Sequence, residues 1–173
     1  MKNKLLIQII IISIISFNAF GQEIEENRVD DFTGNSIKRT SWETLNMTMK
    51  FAAYFRISNI DDLYFFDLKM MIGGKVFSID KEQELMLKLS NNEIITLPNL
   101  KHTITCNGCG ARGLSGSNAQ GIKVSYLITE EQIYKLKDSD VTKIRIYTTN
   151  GYVENDLKSK HNKKIKKAMS LIK

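Results

Sequence analysis

Two cysteines that lie three positions apart are the residues of this sequence best placed to do chemistry. Cys106 and Cys109 are the only cysteines, and the stretch around them, TITCNGCGARGLSGSNAQG (103–121), holds five of the ten glycines. A C-x-x-C pair can exchange thiols with a substrate, supply two ligands of a zinc site, or close into a disulfide. The same stretch contains G-x-G-x-x-G from Gly108 to Gly113, the spacing of a dinucleotide-binding loop.

The thiol-exchange and dinucleotide interpretations both require a helix directly after the motif. In the first, the helix N-terminus lowers the pKa of the thiol, and in the second it binds the pyrophosphate. Here the motif is followed by LSGSNAQG, which has two further glycines and no helical periodicity. The sequence therefore disfavours both interpretations and predicts no cofactor.

Zinc binding is the alternative that the sequence leaves open. His102 precedes Cys106 by four residues, so both would share one face of a strand, and Cys109 would add a third ligand. A second C-x-x-C motif is absent. The favoured prediction is a disulfide between Cys106 and Cys109. Because it closes so short a ring, it should raise the free energy of unfolding by only about 2 kcal/mol.

The glycine-rich half of the stretch is the candidate binding loop, since it is expected to be mobile between two strands. The residues predicted to bind a ligand there are Gly110, Arg112, Gly113, Ser115, Ser117 and Asn118. No catalytic residue is predicted, because the two histidines, His102 and His161, form no recognisable arrangement with a serine and an acid. The sequence leaves enzymatic activity undecided and favours a non-catalytic protein.

The N-terminus has the pattern of a secretory signal peptide. Lys2 and Lys4 precede an apolar run from Leu5 to Phe17, and small residues flank Phe20 up to Gly21. The apolar run is shorter than the roughly 20 residues of a transmembrane helix. We therefore expect cleavage after Gly21, a periplasmic or secreted location in which disulfides can form, and no transmembrane segment after processing.

The remaining chain is predicted to be one domain, 36–173, preceded by a solvated N-terminal arm, 22–35. Its length fits a single core. The formal net charge is +6, and the last 16 residues hold seven lysines without arginine or aromatic neighbours. Such a segment fits the solvated face of a helix, so no nucleic-acid partner is expected.

Strand patterns dominate from Ser36 to about Ile128. The segments MKFAAYFRIS and DLYFFDLKMM bracket the turn NIDD, and ELMLKLS and EIITL are predicted to pair around Asn91 and Asn92. Gly73 and Gly74 are predicted to form a two-residue hairpin turn. The strand aromatics are interpreted mainly as core residues, with a carbohydrate platform as the alternative: Trp42, Tyr54, Phe55, Tyr64, Phe65 and Phe66.

The last third of the chain combines helix and strand signals. Thr129 and Gln132 have capping-box spacing, and VTKIRIYTTN is a predicted strand. Apolar residues follow a helical period at Ile165, Ala168, Met169 and Ile172. The predicted fold is therefore α+β, a mainly antiparallel sheet with a short helix and a C-terminal amphipathic helix packed on it. A β-sandwich with peripheral helices is the alternative.

Four stretches resemble a group of small exported proteins of Bacteroidota. They are DDFTGNSIKRTSWETL, VFSIDKEQELMLKLSNNEIITL, CNGCGARGLSGSNAQGIKVSYLITEEQI and VTKIRIYTTNGYVENDLKSK. The resemblance implies an exported protein whose C-x-G-C-G loop belongs to a shared scaffold, and it implies no activity.

The functional hypothesis is an exported, non-catalytic binding or structural module for a protein, glycan or envelope component. The alternative is a metal- or thiol-dependent protein that uses Cys106 and Cys109.

Overall fold

Antiparallel β-sheet makes up most of the computed structural model, which describes residues 22–73, 75–109 and 120–173. The predicted signal peptide, 1–21, lies outside these residues. The strands are β1 (Ile24–Val29), β2 (Ser36–Thr40), β3 (Glu43–Met47), β4 (Phe51–Ile60), β5 (Leu63–Ile72), β6 (Ser78–Ile79), β7 (Leu85–Leu89), β8 (Ile94–Leu97), β9 (Thr103–Ile104), β10 (Cys106–Asn107), β11 (Gln120–Ile128), β12 (Val141–Thr148) and β13 (Gly151–Asp156). The helices are α1 (Glu130–Asp138) and α2 (Ser159–Ile172).

The larger sheet has seven strands, in the order β1-β2-β4-β5-β11-β10, with β3 also paired to β4. β4 and β5 form the long central hairpin, and Asp61 and Asp62 take positive φ angles in its turn. β2 and β3 lie one after the other along the same edge of β4. The two residues between them, Ser41 and Trp42, are therefore placed beside the middle of β4.

The smaller sheet has four strands in the order β13-β12-β7-β8. The predicted β7–β8 hairpin is confirmed, and Asn92 occupies its turn with a φ of 67°. A turn before Gly151 joins β12 to β13. The predicted Gly73–Gly74 hairpin is wrong, because β5 pairs with β4 and β11 whereas β6 pairs with β9.

Within the described residues, one hydrophobic core joins the larger sheet, the smaller sheet and both helices. Along β4 and β5 alternate residues such as Phe55, Ile57, Phe66 and Leu68 are fully buried on the inner face, as period-two geometry requires. The smaller sheet contributes a matching inner row that includes Leu87. The opposite face of each sheet, which we call its outer face, carries the polar side chains.

The helices begin and pack as the sequence predicts. Thr129 caps α1 in a full capping box with Gln132. α2 packs against α1, β2, β3 and β4, and the predicted apolar stripe is buried: Ile165, Ala168, Met169 and Ile172.

The predicted solvated arm, 22–35, contains an edge strand. Ile24–Val29 is mostly exposed and pairs with β2, so this part of the arm forms an edge of the larger sheet, which the sequence analysis did not predict. The strand was not recognised because IEENRV is rich in charged residues, and one ladder with β2 holds it rather than an apolar face.

Candidate functional site

The predicted disulfide pair lies at the edge of the larger sheet. The sulfurs of Cys106 and Cys109 are at bonding distance, with the Cα atoms 5.2 Å apart, and Gly108 takes a φ of 73° between them. Cys106 begins β10, which pairs with β11. The six residues of the predicted binding loop lie outside the described residues: Gly110, Arg112, Gly113, Ser115, Ser117 and Asn118.

The candidate metal ligands are engaged elsewhere. The Cys106 and Cys109 sulfurs face each other, and His102 Nδ1 lies 2.5 Å from Asp80 Oδ1. Among the described residues, no group of three or more His, Cys, Asp or Glu side chains could hold a metal ion. His161 has a separate role, since its Nδ1 accepts a hydrogen bond of 3.2 Å from the Lys158 N–H at the start of α2.

The predicted core aromatics divide between the two faces of the larger sheet. Phe55, Tyr64 and Phe66 are buried as predicted, and the Phe55 and Phe66 rings stack with centroids 5.4 Å apart. Trp42, Tyr54 and Phe65 are only partly buried, so for them the core prediction is wrong.

The outer face of the larger sheet holds a pocket of about 140 Å³ that sequence reasoning missed. We call it the basic pocket. Its lining consists of three cations, Arg39, Arg56 and Lys123, two polar residues, Asp67 and Ser125, and two apolar residues, Ile60 and Phe65.

Strand register aligns the floor of the basic pocket. Arg56, Asp67 and Ser125 are direct neighbours across β4, β5 and β11. Asp67 accepts hydrogen bonds from Arg56 Nε at 2.9 Å, from Ser125 Oγ at 2.5 Å and from Ser58 Oγ at 2.6 Å. The Asp67 side chain is only 6% exposed and that of Arg56 only 10%. Three hydrogen-bond donors thus fix the Asp67 carboxylate among the cationic side chains.

Trp42 covers the cations beside this floor. Its ring centroid lies 4.0 Å from Lys69 Nζ, 4.6 Å from the Arg56 guanidinium carbon and 5.8 Å from Lys123 Nζ. Lys69 and Lys123 are directly opposite each other in the β5–β11 ladder, an arrangement of like charges that destabilises a sheet. The negative face of the indole ring partly offsets this repulsion.

The edge strand β1 supplies two more carboxylates. Glu26 Oε2 lies 2.5 Å from Arg39 Nη1, and Glu25 Oε2 lies 3.7 Å from Arg56 Nη1. The hydrogen bond from Arg39 is the main reason that the pKa of Glu26 is lowered. Arg39 Nε is buried without a hydrogen-bond partner among the described residues.

The surroundings of Lys123 disfavour its positive charge. Partial desolvation and the nearby Arg56 guanidinium lower the pKa of its ammonium group. Among the described residues Lys123 forms no ion pair with a carboxylate, although Asp67 acts in the opposite direction on its pKa. An anion bound beside Lys123 would relieve this repulsion.

The groups of the basic pocket can bind an anion but include no activated nucleophile. The hydroxyls of Ser58 and Ser125 both donate to Asp67, and neither described histidine contacts them.

The sequence signal for the basic pocket was a lone charged residue within each of two strands. FAAYFRISNI has one charged residue, Arg56, and GIKVSYLI has one, Lys123, each at a position that alternation assigns to the outer face.

A second depression, of about 100 Å³, lies on the outer face of the smaller sheet. Its lining has three cations, Lys88, Lys143 and Arg145, and one carboxylate, Glu154, which lies 2.6 Å from Arg145 Nη2 and 2.6 Å from Lys143 Nζ. Met86 and Ile94 supply apolar walls. Its lining has the same charge count as that of the basic pocket, and the two differ in burial: the Arg145 and Glu154 side chains are 38% and 26% exposed, whereas those of Arg56 and Asp67 are 10% and 6% exposed.

The lysines of the C-terminal segment are partly paired as well. Lys164 contacts Glu43 at 2.6 Å, Lys166 contacts Asp140 at 2.7 Å, and Lys173 contacts Glu130.

No helix in the described part of the chain is both long and apolar enough to cross a membrane. Comparisons with protein-family models, curated proteins and solved structures found no match.

Proposed function

We propose that this chain is an exported, non-catalytic binding module and that the basic pocket is its ligand-binding site. The ligand carries an anionic group and belongs to a glycan or another envelope component. One observation carries the proposal: three cationic side chains meet at a half-buried pocket whose floor is a fixed Arg56–Asp67 ion pair. A bound anion would compensate Lys123.

The proposal includes the compartment and the fold class. Residues 1–21 act as a signal peptide, and the exported chain folds in the periplasm or outside the cell as an α+β domain. The Cys106–Cys109 pair supports an oxidising location. Expression of the full chain in a Gram-negative host should yield an exported protein whose mass corresponds to a start at Gln22. Recovery of the uncleaved chain in the cytoplasm would contradict the export part.

The binding part can be tested with matched variants that each remove one lysine charge. Lys123→Gln should weaken binding to anionic ligands by about tenfold, the effect of losing one charge-assisted contact. Lys167→Gln, at an exposed position of α2, should leave binding unchanged. Titration calorimetry of both variants against neutral and anionic oligosaccharides measures the difference. Equal binding by both variants would place the site elsewhere, and turnover that a point substitution abolishes would contradict the non-catalytic part.

A further inference from the structure

The cations of the basic pocket surround a carboxylate. Asp67 lines the pocket together with Arg39, Arg56 and Lys123. A phosphate monoester, which carries up to two negative charges, would lie close to Asp67 and be repelled by it. A group with a single, delocalised negative charge is repelled less.

The polar groups of the pocket also require a ligand that donates hydrogen bonds. Ser125 already uses its proton on Asp67, so its oxygen can only accept from a ligand. The Asp67 carboxylate is itself an acceptor that lines the pocket. A ligand that fits must therefore present hydroxyl groups close to its negative charge.

The remaining walls match the carbon skeleton of a sugar. Ile60 and Phe65 give the pocket an apolar side, and Trp42 lies over the adjoining cations on the same face. At about 140 Å³ the pocket is smaller than the roughly 300 Å³ at the low end for a whole small-molecule ligand. It therefore has room for one group of a longer ligand, whose other units would extend along the open sheet.

We propose that the basic pocket recognises the carboxylate and neighbouring hydroxyl of a single uronic acid unit in an acidic glycan. Lys123 contacts the carboxylate, Ser125 Oγ accepts from the neighbouring hydroxyl, and Phe65 contacts the apolar face of the ring. This inference rests on the proposed function and makes it more specific.

The test compares ligands that differ in the acidic group alone. Trigalacturonate, its methyl ester and a sulfated galactose trisaccharide are titrated into the purified protein, with inorganic phosphate and a glutamate-rich peptide as further anions. Trigalacturonate should bind, and methyl esterification should weaken binding by about tenfold or more, because it removes the charge that Lys123 contacts. Lys123→Gln should cause a similar loss, Lys123→Arg should restore most of it, and Lys167→Gln should have no effect.

The outcomes separate this inference from the proposed function. Binding of the sulfated sugar, phosphate or peptide that depends on Lys123, without binding of trigalacturonate, would overturn the uronic acid inference and leave the anion site standing. No Lys123-dependent binding by any of these anions would overturn both. Lys123 is exposed, so its variants should keep the fold, and an unchanged circular dichroism spectrum and melting temperature verify this.

Discussion

The buried polar atoms on the two faces of the larger sheet differ in how fully they are hydrogen-bonded. On the outer face, Asp67 has three donors, whereas on the inner face the Tyr126 hydroxyl is buried without a hydrogen-bond partner among the described residues. Burial alone raises the pKa of Tyr126 above its usual value. Hydrogen bonds thus stabilise the buried charge of Asp67 on the outer face. The Tyr126 hydroxyl in the core adds no hydrogen bond to the stability of the fold.

Tyr126→Phe should leave the free energy of unfolding unchanged or raise it by up to about 1 kcal/mol. The substitution removes a buried hydroxyl that gains no hydrogen bond, while the aromatic ring remains packed. Urea unfolding measures the change. Tyr147→Phe is the control, because the Tyr147 hydroxyl accepts from Arg145 at 3.4 Å in a partly buried setting. A loss of more than 1 kcal/mol in Tyr126→Phe would reveal a partner for the hydroxyl.

At the scale of elements, the start of α2 depends on an uncharged histidine. His161 is 7% exposed, and its Nδ1 must be unprotonated to accept from the Lys158 N–H. Desolvation lowers the pKa of His161, and Lys160, Lys164 and Lys158 add to the effect. Because the folded state disfavours the protonated ring, the unfolded chain binds more protons below its own pKa of about 6.5.

The free energy of unfolding should therefore decrease as the pH falls from about 6.5 towards the lower pKa of folded His161. Urea unfolding at several pH values between 7 and 5 measures the slope. His161→Gln keeps a cap acceptor without titrating, so its slope should be shallower than that of the unsubstituted protein. Lys167→Gln, at an exposed position of the same helix, is the control and should keep the slope of the unsubstituted protein. Equal slopes for His161→Gln and the unsubstituted protein would exclude His161 as the cause.

Elements with a strong local pattern were predictable from the sequence, and those held by partners distant in the chain were not. The α1 capping box, the β7–β8 hairpin and the apolar stripe of α2 all follow local rules. The sequences of β3 and β13 show no comparable alternation, and ladders with β4 and β12 define them. The basic pocket was missed for the same reason, since its residues come from β2, β4, β5 and β11 and only the strand register brings them together.

For the whole molecule, the disulfide contributes to local shape more than to global stability. The bond between Cys106 and Cys109 closes a short ring at the edge of the larger sheet, away from the shared core. Reduction, or the double substitution Cys106→Ser with Cys109→Ser, should lower the free energy of unfolding by only about 2 kcal/mol.

Denaturant unfolding with and without reductant tests this expectation, and hydrogen exchange should show the local part. Amides of the β10–β11 pair should lose protection on reduction, whereas those of the β4–β5 hairpin should keep it. Complete unfolding of the reduced protein would show that the bond supports the whole fold.

The position of β11 in the larger sheet affects how the chain folds. β11 lies between β5 and β10, yet the chain reaches it only after β6, β7, β8 and β9, so the central sheet cannot be completed by neighbouring segments alone. Folds dominated by such distant pairings form in milliseconds to seconds, far more slowly than helical bundles. A chain that folds slowly stays extended longer after synthesis, and under the export that we propose, this delay would give a translocation pore time to thread the chain before the sheet closes.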